Sequence, residues 1–498
     1  MALEVFSLGE TRLTSELLVS LSYKVDPAFK ITDERWKLLR DQRKKLEDLI
    51  SSQKVIYGVN TGFGFLSQIR IPDQQIKDLQ LYLIRSHACG VGEPLSQEVV
   101  RGMLILKAHN FLLGHSGVRE SCVKLILDFL QYHITPHVPS KGSVGASGDL
   151  APLSHIALAL IGEGKVFHKN EWKKSREVFQ SLGLTPLVPE MKEGLALING
   201  THYMSVEGSF GAVEAERLIR AADIALALSL TGIKGTRKAF DPRIHELRPH
   251  KGQLESAKNI FSLLEGFVEE QYEKVQDPYS FRCGAQVHGM ARDSLEFVMK
   301  TLEIELNSIT DNPLVLSDGE VISGGNFHGA PIACAFDYLS IALSEIGNIS
   351  ERRTEKLTNP SMSGLPAFLI KDGGVNSGFM IPQVVAASLA SENKVLAHPS
   401  SVDTIPTSAD KEDHVSMGAF GAQKLRMITK NVAWILSIEL LTACQAVDLS
   451  KIQRIPPKLK VYYDKIRTLS PSLDCDRSLH EDIEVLAKAL IMGEFSNL

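Results

Sequence analysis

The C-terminal half of the chain contains unusually long runs of helix-forming sequence. The spacing of apolar residues predicts helices near 285–308, 328–356, 379–396 and 415–447. Several of these are about twice the length of a typical globular helix of ~11–12 residues. Apolar residues fall on more than one face of these segments, so neighbouring helices must cover several sides of each. The sequence therefore predicts a mainly α-helical fold built around a bundle of long helices.

The N-terminal part of the chain has shorter predicted elements. Small β-hairpins are predicted near 4–14 and 165–172. A Gly-rich and Pro-rich first part gives way to the long helices near residue 200. We therefore expect an N-terminal, mainly helical domain over residues 1–199 and a long-helix bundle over residues 200–498. Apolar stripes predict further helices near 33–52, 73–89, 97–113, 117–131, 149–163 and 201–230.

The composition argues against several classes of protein. The 498 residues are 44% hydrophobic and 23% charged, which is typical of a folded globular protein. The formal charge is −5, and no basic cluster suited to nucleic-acid phosphates occurs. The longest mostly apolar stretch, 431–447, contains Glu439 and is shorter than a membrane span. The N-terminus lacks a signal pattern and the six cysteines form no CxxC pair, so we expect a cytoplasmic protein without nucleic-acid or membrane partners.

Familiar cofactor and metal motifs do not occur in the sequence. There is no GxxxxGK[ST] phosphate loop, and the glycines of segment 57–64 do not lie in a strand–turn–helix unit. The close pair His133 and His137 encloses Pro136, which disrupts the helical face that a zinc-binding pair needs. We therefore expect no metal and no external cofactor.

The segment 142–152, GSVGASGDLAP, allows two interpretations. In the structural one, which local spacing alone favours, Asp149 is an N-cap and Pro152 lies in the first turn of a helix. In the chemical one, the amide nitrogen of Gly148 attacks the carbonyl of Ala146 and closes a five-membered ring. Loss of water then turns the Ser147 side chain into an exocyclic alkene, an electrophile made from the backbone. A helix beginning at Asp149 would place its positive end near this ring.

The segment 142–155, GSVGASGDLAPLSH, resembles the signature of the ammonia-lyases that build a methylidene-imidazolone (MIO) group from Ala-Ser-Gly. The resemblance extends over nearly the whole chain and is closest to the branch of that family that acts on histidine. It implies a mainly α-helical bundle of the fumarase/aspartase-like superfamily and a homotetramer whose active sites draw on more than one subunit. Further motifs match in order: YGVNTGFG, SHACGVG, LALINGT, QDPYSFRC, TDNPLV, GGNFHG and ASENKVLAHPSSVDTIPTSADKEDHVSMG.

The resemblance also implies roles for individual residues. Ala146, Ser147 and Gly148 form the MIO group, and Tyr57 removes the β-proton of the substrate. A phenol is a weak base near neutral pH, so this role requires a lowered pKa of Tyr57, which nearby positive potential could provide. Arg282 binds the substrate carboxylate, a task suited to a planar guanidinium that can donate two hydrogen bonds. Other substrate-contacting positions implied by the motifs are Asn199, Gln276, Tyr279 and Phe327.

Two positions favour L-histidine, with trans-urocanate and ammonia as products. The pair Ser86-His87 stands where phenylalanine lyases usually have Phe-Leu, although some bacterial tyrosine lyases share it. Glu412 stands where aromatic lyases tend to have Gln. A carboxylate can accept a hydrogen bond from an imidazole N–H, whereas a phenyl ring cannot compensate for its desolvation. Without the matching context, Glu412 would more simply be an acid near a helix start.

Several alternatives remain open from the sequence alone. The residues flanking Arg282 depart from the usual family pattern, which leaves the shape of the substrate pocket undetermined. A tyrosine or phenylalanine ammonia-lyase, or an aminomutase on the same scaffold, is the nearest alternative. A helical scaffold that has kept the fold without activity is an alternative of another class. The departures are Phe281, Gly284, Ala285 and His288.

Overall fold

The computed structural model describes residues 5–24, 26–51, 56, 58–62, 69–268 and 275–496. It divides into two compact units, each made of segments that are separated in sequence. The predicted domain boundary between residues 199 and 200 remains a prediction. Unit 1 comprises 1–210, 299–336 and 400–423, and unit 2 comprises 211–298, 337–399 and 424–498.

Helices dominate the described part of the chain, so the predicted mainly α-helical fold is confirmed. The helices before residue 200 are Ser15–Tyr23 (α1), Asp33–Ser51 (α2), Ile76–His87 (α3), Gln97–Phe111 (α4), Glu120–Gln131 (α5), Ala151–Leu160 (α6), Ser175–Leu182 (α7) and Glu193–Ile198 (α8). Those after it are His202–Gly232 (α9), Pro242–Glu246 (α10), Lys251–Leu263 (α11), Tyr279–Arg282 (α12), Gly284–Leu306 (α13), Ala330–Thr358 (α14), Pro360–Ser363 (α15), Met380–Leu396 (α16), Gly418–Ser450 (α17), Pro457–Leu469 (α18) and His480–Ile491 (α19).

The four predicted long helices correspond to α13, α14, α16 and α17, with ends within a few residues of those expected. Two of them, α14 and α17, are long and apolar enough to cross a membrane by length and composition. In each, most of the apolar window is buried inside the protein, 72% in α14 and 83% in α17. Glu439 in the middle of α17 is fully buried and accepts two hydrogen bonds from the guanidinium of Arg353, at 2.5 and 2.8 Å. Its charge is therefore paired within the core of unit 2.

The strands are short and form small sheets. Strands β6 and β7 form the hairpin predicted near 165–172, with Phe167 opposite Trp172. The hairpin predicted near 4–14 is wrong, because β1 pairs in parallel with β2 and the following residues enter α1. Thr14 is the N-cap of that helix, and its hydroxyl accepts from the backbone N–H of Leu17. The strands are Phe6–Ser7 (β1), Phe29–Lys30 (β2), Val91–Pro94 (β3), Thr135–Pro136 (β4), Pro139–Lys141 (β5), Lys165–His168 (β6), Glu171–Lys174 (β7), Leu314–Val315 (β8) and Val321–Ile322 (β9).

Candidate active site

The loop between β5 and α6 carries Ala146, Ser147 and Gly148 in unit 1. The chain turns sharply at Ser147, so that the backbones of Ala146 and Gly148 lie side by side as bridge partners. Gly148 has a φ of +73° and also pairs with Gly200. A Cβ atom added to Gly148 would lie 2.2 Å from the Gly200 carbonyl oxygen, so only glycine fits here. The turn is therefore held against the segment that follows α8.

The carbonyl oxygen of Ser147 accepts hydrogen bonds from that segment. The side-chain Nδ2 of Asn199 donates to it at 2.7 Å, and the backbone N–H of Gly200 donates at 3.4 Å. Asn199 is the C-cap of α8 and is almost completely buried. Two N–H groups directed at one carbonyl oxygen can stabilise negative charge that develops there.

The hydroxyl of Ser147 faces Glu412. It donates to Glu412 Oε1 at 3.0 Å. The other carboxylate oxygen, Oε2, accepts from the hydroxyls of Thr407 and Ser408 at 2.8 and 2.7 Å. These contacts hold the carboxylate in place beside the half-buried Ser147, with Oε1 directed at the loop.

His87 lies at the end of α3 and interacts electrostatically with Glu412. Its Nδ1 is 2.9 Å from the backbone carbonyl oxygen of Leu83 and therefore carries the proton that this carbonyl accepts. Burial lowers the pKa of His87 below its usual value, and the Leu83 carbonyl and the Glu412 charge only partly oppose this. The neutral imidazole that results leaves Nε2 as a hydrogen-bond acceptor.

Asp149 does not have the role that the sequence predicted. The expected N-cap of α6 is wrong, because Leu150, with a φ of +51°, precedes that helix. The fully buried carboxylate of Asp149 instead accepts from the backbone N–H groups of Tyr203 and Met204, at 2.5 and 3.2 Å, in the first turn of α9. Burial raises the pKa of this carboxyl group to about 7. Pro152 lies in the first turn of α6, as predicted.

Replacing Asp149 with Ala should destabilise the protein. The substitution leaves two buried N–H groups at the start of α9 without their acceptor, and we expect a loss of about 2–4 kcal/mol in the free energy of unfolding. Denaturant unfolding followed by circular dichroism measures this. Asp128→Ala is the control, because Asp128 lies within α5 and not at a helix start. Equal losses for the two variants would contradict the capping role.

The loops that carry Phe327 and Glu412 are also in contact. The rings of His328 and His414 stack, with centroids 5.6 Å apart and planes 1° from parallel. The Nε2 of His328 donates to the backbone carbonyl oxygen of His414 at 3.1 Å. Phe327 is half-buried next to this pair.

The remaining predicted residues lie in unit 2 or outside the described part of the chain. Arg282 donates through Nε to the backbone carbonyl of Asp277 at 3.1 Å, and its guanidinium lies 4.4 Å from the centre of the Tyr279 ring. Tyr279 is 70% exposed and Gln276 is exposed. Tyr57 lies outside the described residues.

One buried cationic residue of the site, Lys107, was not predicted from the sequence. Lys107 lies on α4, and its ammonium contacts the carbonyl oxygens of Ala196 and Asn199. A single Lys inside the apolar run MLILKAHNF was the available signal, but nothing in the spacing connects it with Asn199. In the ranges that the structure describes, no three His, Cys, Asp or Glu side chains come together as a metal site would require.

Comparison with known proteins identifies the family. The family model for aromatic amino acid lyases matches residues 13–468. The chain belongs to the aromatic amino acid lyase family. A histidine ammonia-lyase from Alkaliphilus oremlandii is 48% identical over 460 residues, which cover 92% of this chain and 91% of that protein.

Solved structures of family members have the same fold. The crystal structure of histidine ammonia-lyase from Trypanosoma cruzi is 43% identical, with a TM-score of 0.92, and covers 99% of this chain and 94% of that one. Tyrosine aminomutase from Streptomyces globisporus is 35% identical, also with a TM-score of 0.92, and covers 99% and 97% of the two chains. The fold is therefore shared by family members with different activities, so the fold alone does not determine substrate preference.

Proposed function

We propose that this protein eliminates ammonia from L-histidine and releases trans-urocanate. The observation that carries the proposal is the carboxylate of Glu412, which is held beside Ser147 and close to the neutral ring of His87. An imidazole substrate offers an N–H donor to a carboxylate, whereas a phenyl or phenol ring has no ring N–H. The histidine ammonia-lyase from Alkaliphilus oremlandii, 48% identical, supports the same assignment.

The electrophile of this reaction is an MIO group formed from Ala146, Ser147 and Gly148. The residues present fit such a ring, because Ala146 and Gly148 lie side by side across the Ser147 turn and Gly148 leaves no room for a Cβ atom. When formed, the group supplies an electrophilic carbon that derives from the Ser147 side chain. Asn199 and Gly200 donate to the Ser147 carbonyl oxygen and would stabilise negative charge that develops there. No external cofactor or metal is required.

The other site residues bind the substrate and move protons. Glu412 accepts a hydrogen bond from the N–H of the substrate imidazole, and His87 also contacts this ring. Arg282 binds the carboxylate through its guanidinium. Tyr57 removes the β-proton, after which the ammonium group leaves. Gln276, Tyr279 and Phe327 complete the contacts with the substrate.

The assembly and the location of the protein are also part of the proposal. The active form is a homotetramer with active sites shared between subunits. Exposed apolar side chains on α16 support this, because Ile381, Val384 and Val395 are 58%, 52% and 69% exposed in the single chain. All six cysteines are free thiols, which fits a protein of the cytoplasm.

A substrate panel tests the proposed activity. The protein is incubated separately with L-histidine, L-tyrosine and L-phenylalanine, and the ultraviolet spectrum of the product is followed. We expect urocanate from histidine at a kcat/KM at least about tenfold above the values for the other two, because one lost hydrogen bond to a charged group costs about 1.5–3 kcal/mol. Coumarate or cinnamate without urocanate would contradict the histidine assignment, and a β-amino acid product would identify an aminomutase.

Intact-mass spectrometry tests the electrophile separately. Ring closure and dehydration remove two molecules of water from the chain, so the mature protein should be lighter than its sequence by that mass. A protein with the full sequence mass and no lyase activity would instead be an inactive scaffold that has kept the fold.

A further inference from the structure

Lys107 is a fully buried lysine whose ammonium donates hydrogen bonds to the end of α8. Its Nζ donates to the carbonyl oxygen of Ala196 at 2.9 Å and to that of Asn199 at 3.1 Å. Both carbonyls lie at the C-terminal end of α8, where backbone oxygens lack partners within the helix. The ammonium therefore fixes the position of the residue that caps this helix.

The same residue, Asn199, contacts the Ser147 carbonyl oxygen. Its backbone oxygen accepts from Lys107, while its side-chain Nδ2 donates to Ser147 at 2.7 Å. Two hydrogen bonds to different groups of Asn199 thus link the buried ammonium to the carbonyl of the electrophile loop. A shift of the Asn199 backbone would move the Nδ2 donor away from its acceptor.

A buried lysine at this position has a desolvation cost that an apolar side chain would avoid. Burial lowers the pKa of Lys107 to about 7, although the charges of Asp311 and Asp149 oppose the effect. Asp311 already forms an ion pair with Lys192 at 2.8 Å, and that second ammonium also lowers the pKa of Lys107. A methionine would fill similar space without this desolvation, so a role beyond packing is indicated.

We propose that Lys107 is a positioning residue that holds the Asn199 amide on the Ser147 carbonyl oxygen during both maturation and turnover. The inference rests on the proposed function and assigns Lys107 no contact with the substrate. In maturation, the Cα–H and Cβ–O bonds of Ser147 break, a Cα–Cβ double bond forms, and the proton and hydroxide leave together as water. The electron pair that develops on Cα is shared with the Ser147 carbonyl oxygen, to which Asn199 donates.

Replacing Lys107 with Met tests the proposal by two independent measurements. Time-resolved intact mass after synthesis in a cell-free system follows the loss of two waters, and steady-state kinetics with L-histidine gives kcat and KM. Removal of one donor to a developing oxyanion lowers kcat about 10²–10³-fold. Because Asn199 is displaced and not removed, we expect kcat and the maturation rate to fall about tenfold or more, with KM changed less than about threefold.

Two further variants separate positioning from general destabilisation. Lys107→Arg retains N–H donors for both carbonyls and should recover most of the kcat and of the maturation rate. Lys424→Met is the matched control, because Lys424 is also buried, but its ammonium contacts Asp337 and the carbonyl of His398. We expect Lys424→Met to lower the melting temperature without delaying the mass loss of the protein that remains folded. If Lys107→Met gives no soluble protein, Lys107→Gln is used instead. The Gln side chain is one bond shorter than that of Lys, so this variant should show the same effects with smaller magnitude.

The inference fails if Lys107→Met loses stability but matures and turns over at the wild-type rates, because Lys107 would then serve only as a helix cap. It also fails if kcat falls equally in Lys107→Met and Lys107→Arg while the mass loss keeps its normal rate. Failure of the proposed function would look different. In that case the wild-type protein itself would form no urocanate, whatever residue is present at position 107.

Discussion

Replacing Ser147 with Ala should abolish urocanate formation and prevent the full loss of two waters from the chain. The methyl group of Ala has no oxygen that can leave, so the alkene cannot form. We expect kcat for L-histidine to fall by at least about 10⁴-fold, the scale on which loss of a covalent catalytic group acts. The side chain is half-buried and the change removes one atom, so the melting temperature should remain within a few degrees of the wild type. Activity, intact mass and thermal unfolding are measured on the same preparation.

Ser143→Ala is the matched control for this experiment. Ser143 lies in the same loop, and its hydroxyl accepts from the backbone N–H of Gly145 at 3.2 Å. Its removal should leave the mass loss intact and change kcat only modestly. Full turnover by Ser147→Ala would show that the electrophile does not come from Ser147.

Replacing Glu412 with Gln should selectively weaken turnover of histidine. The amide has nearly the shape of the carboxylate but lacks its charge, and hydrogen bonds to a charged group contribute about 1.5–3 kcal/mol. We therefore expect kcat/KM for L-histidine to fall about 10–200-fold, while any turnover of L-phenylalanine is unchanged or higher. The measurement is the ratio of the two kcat/KM values in wild type and variant.

Asp413→Asn is the control for Glu412→Gln. It removes the same charge from the neighbouring, exposed position and should leave the ratio unchanged. Intact mass must also be recorded, because Glu412 contacts the Ser147 hydroxyl and the variant has to mature before its specificity is compared. An equal fall in kcat/KM for both substrates in mature Glu412→Gln would contradict a role in recognising imidazole.

The sequence predicted the long helices well, because their apolar residues recur over many turns. The ends of α13, α14, α16 and α17 lie within a few residues of the predicted ones. The hairpin of β6 and β7 was also predicted, since its two short strands are adjacent in sequence. Strand β1 was assigned the wrong partner because β2 lies more than twenty residues further along the chain, and local patterns carry no information about such pairing.

The sequence motifs predicted residues of the site, but not every contact that those and other residues make. Ser147, Asn199 and Glu412 come from three separate motifs, and the structure joins them by hydrogen bonds. The roles of Asp149 and Lys107 could not be predicted, because each side chain forms hydrogen bonds with the end of a helix that is remote in sequence. Asp149 precedes α6 and has a good capping side chain, yet its carboxylate caps α9.

The most direct test of the proposed activity is turnover of L-histidine by protein that has been treated with a chelator and dialysed, with no cofactor added. Urocanate is followed by its absorbance, and ammonia is measured in the same samples. We expect urocanate and ammonia to appear in equal amounts, with no lag and no requirement for metal. Absence of urocanate from protein whose mass shows the loss of two waters would contradict the proposed activity.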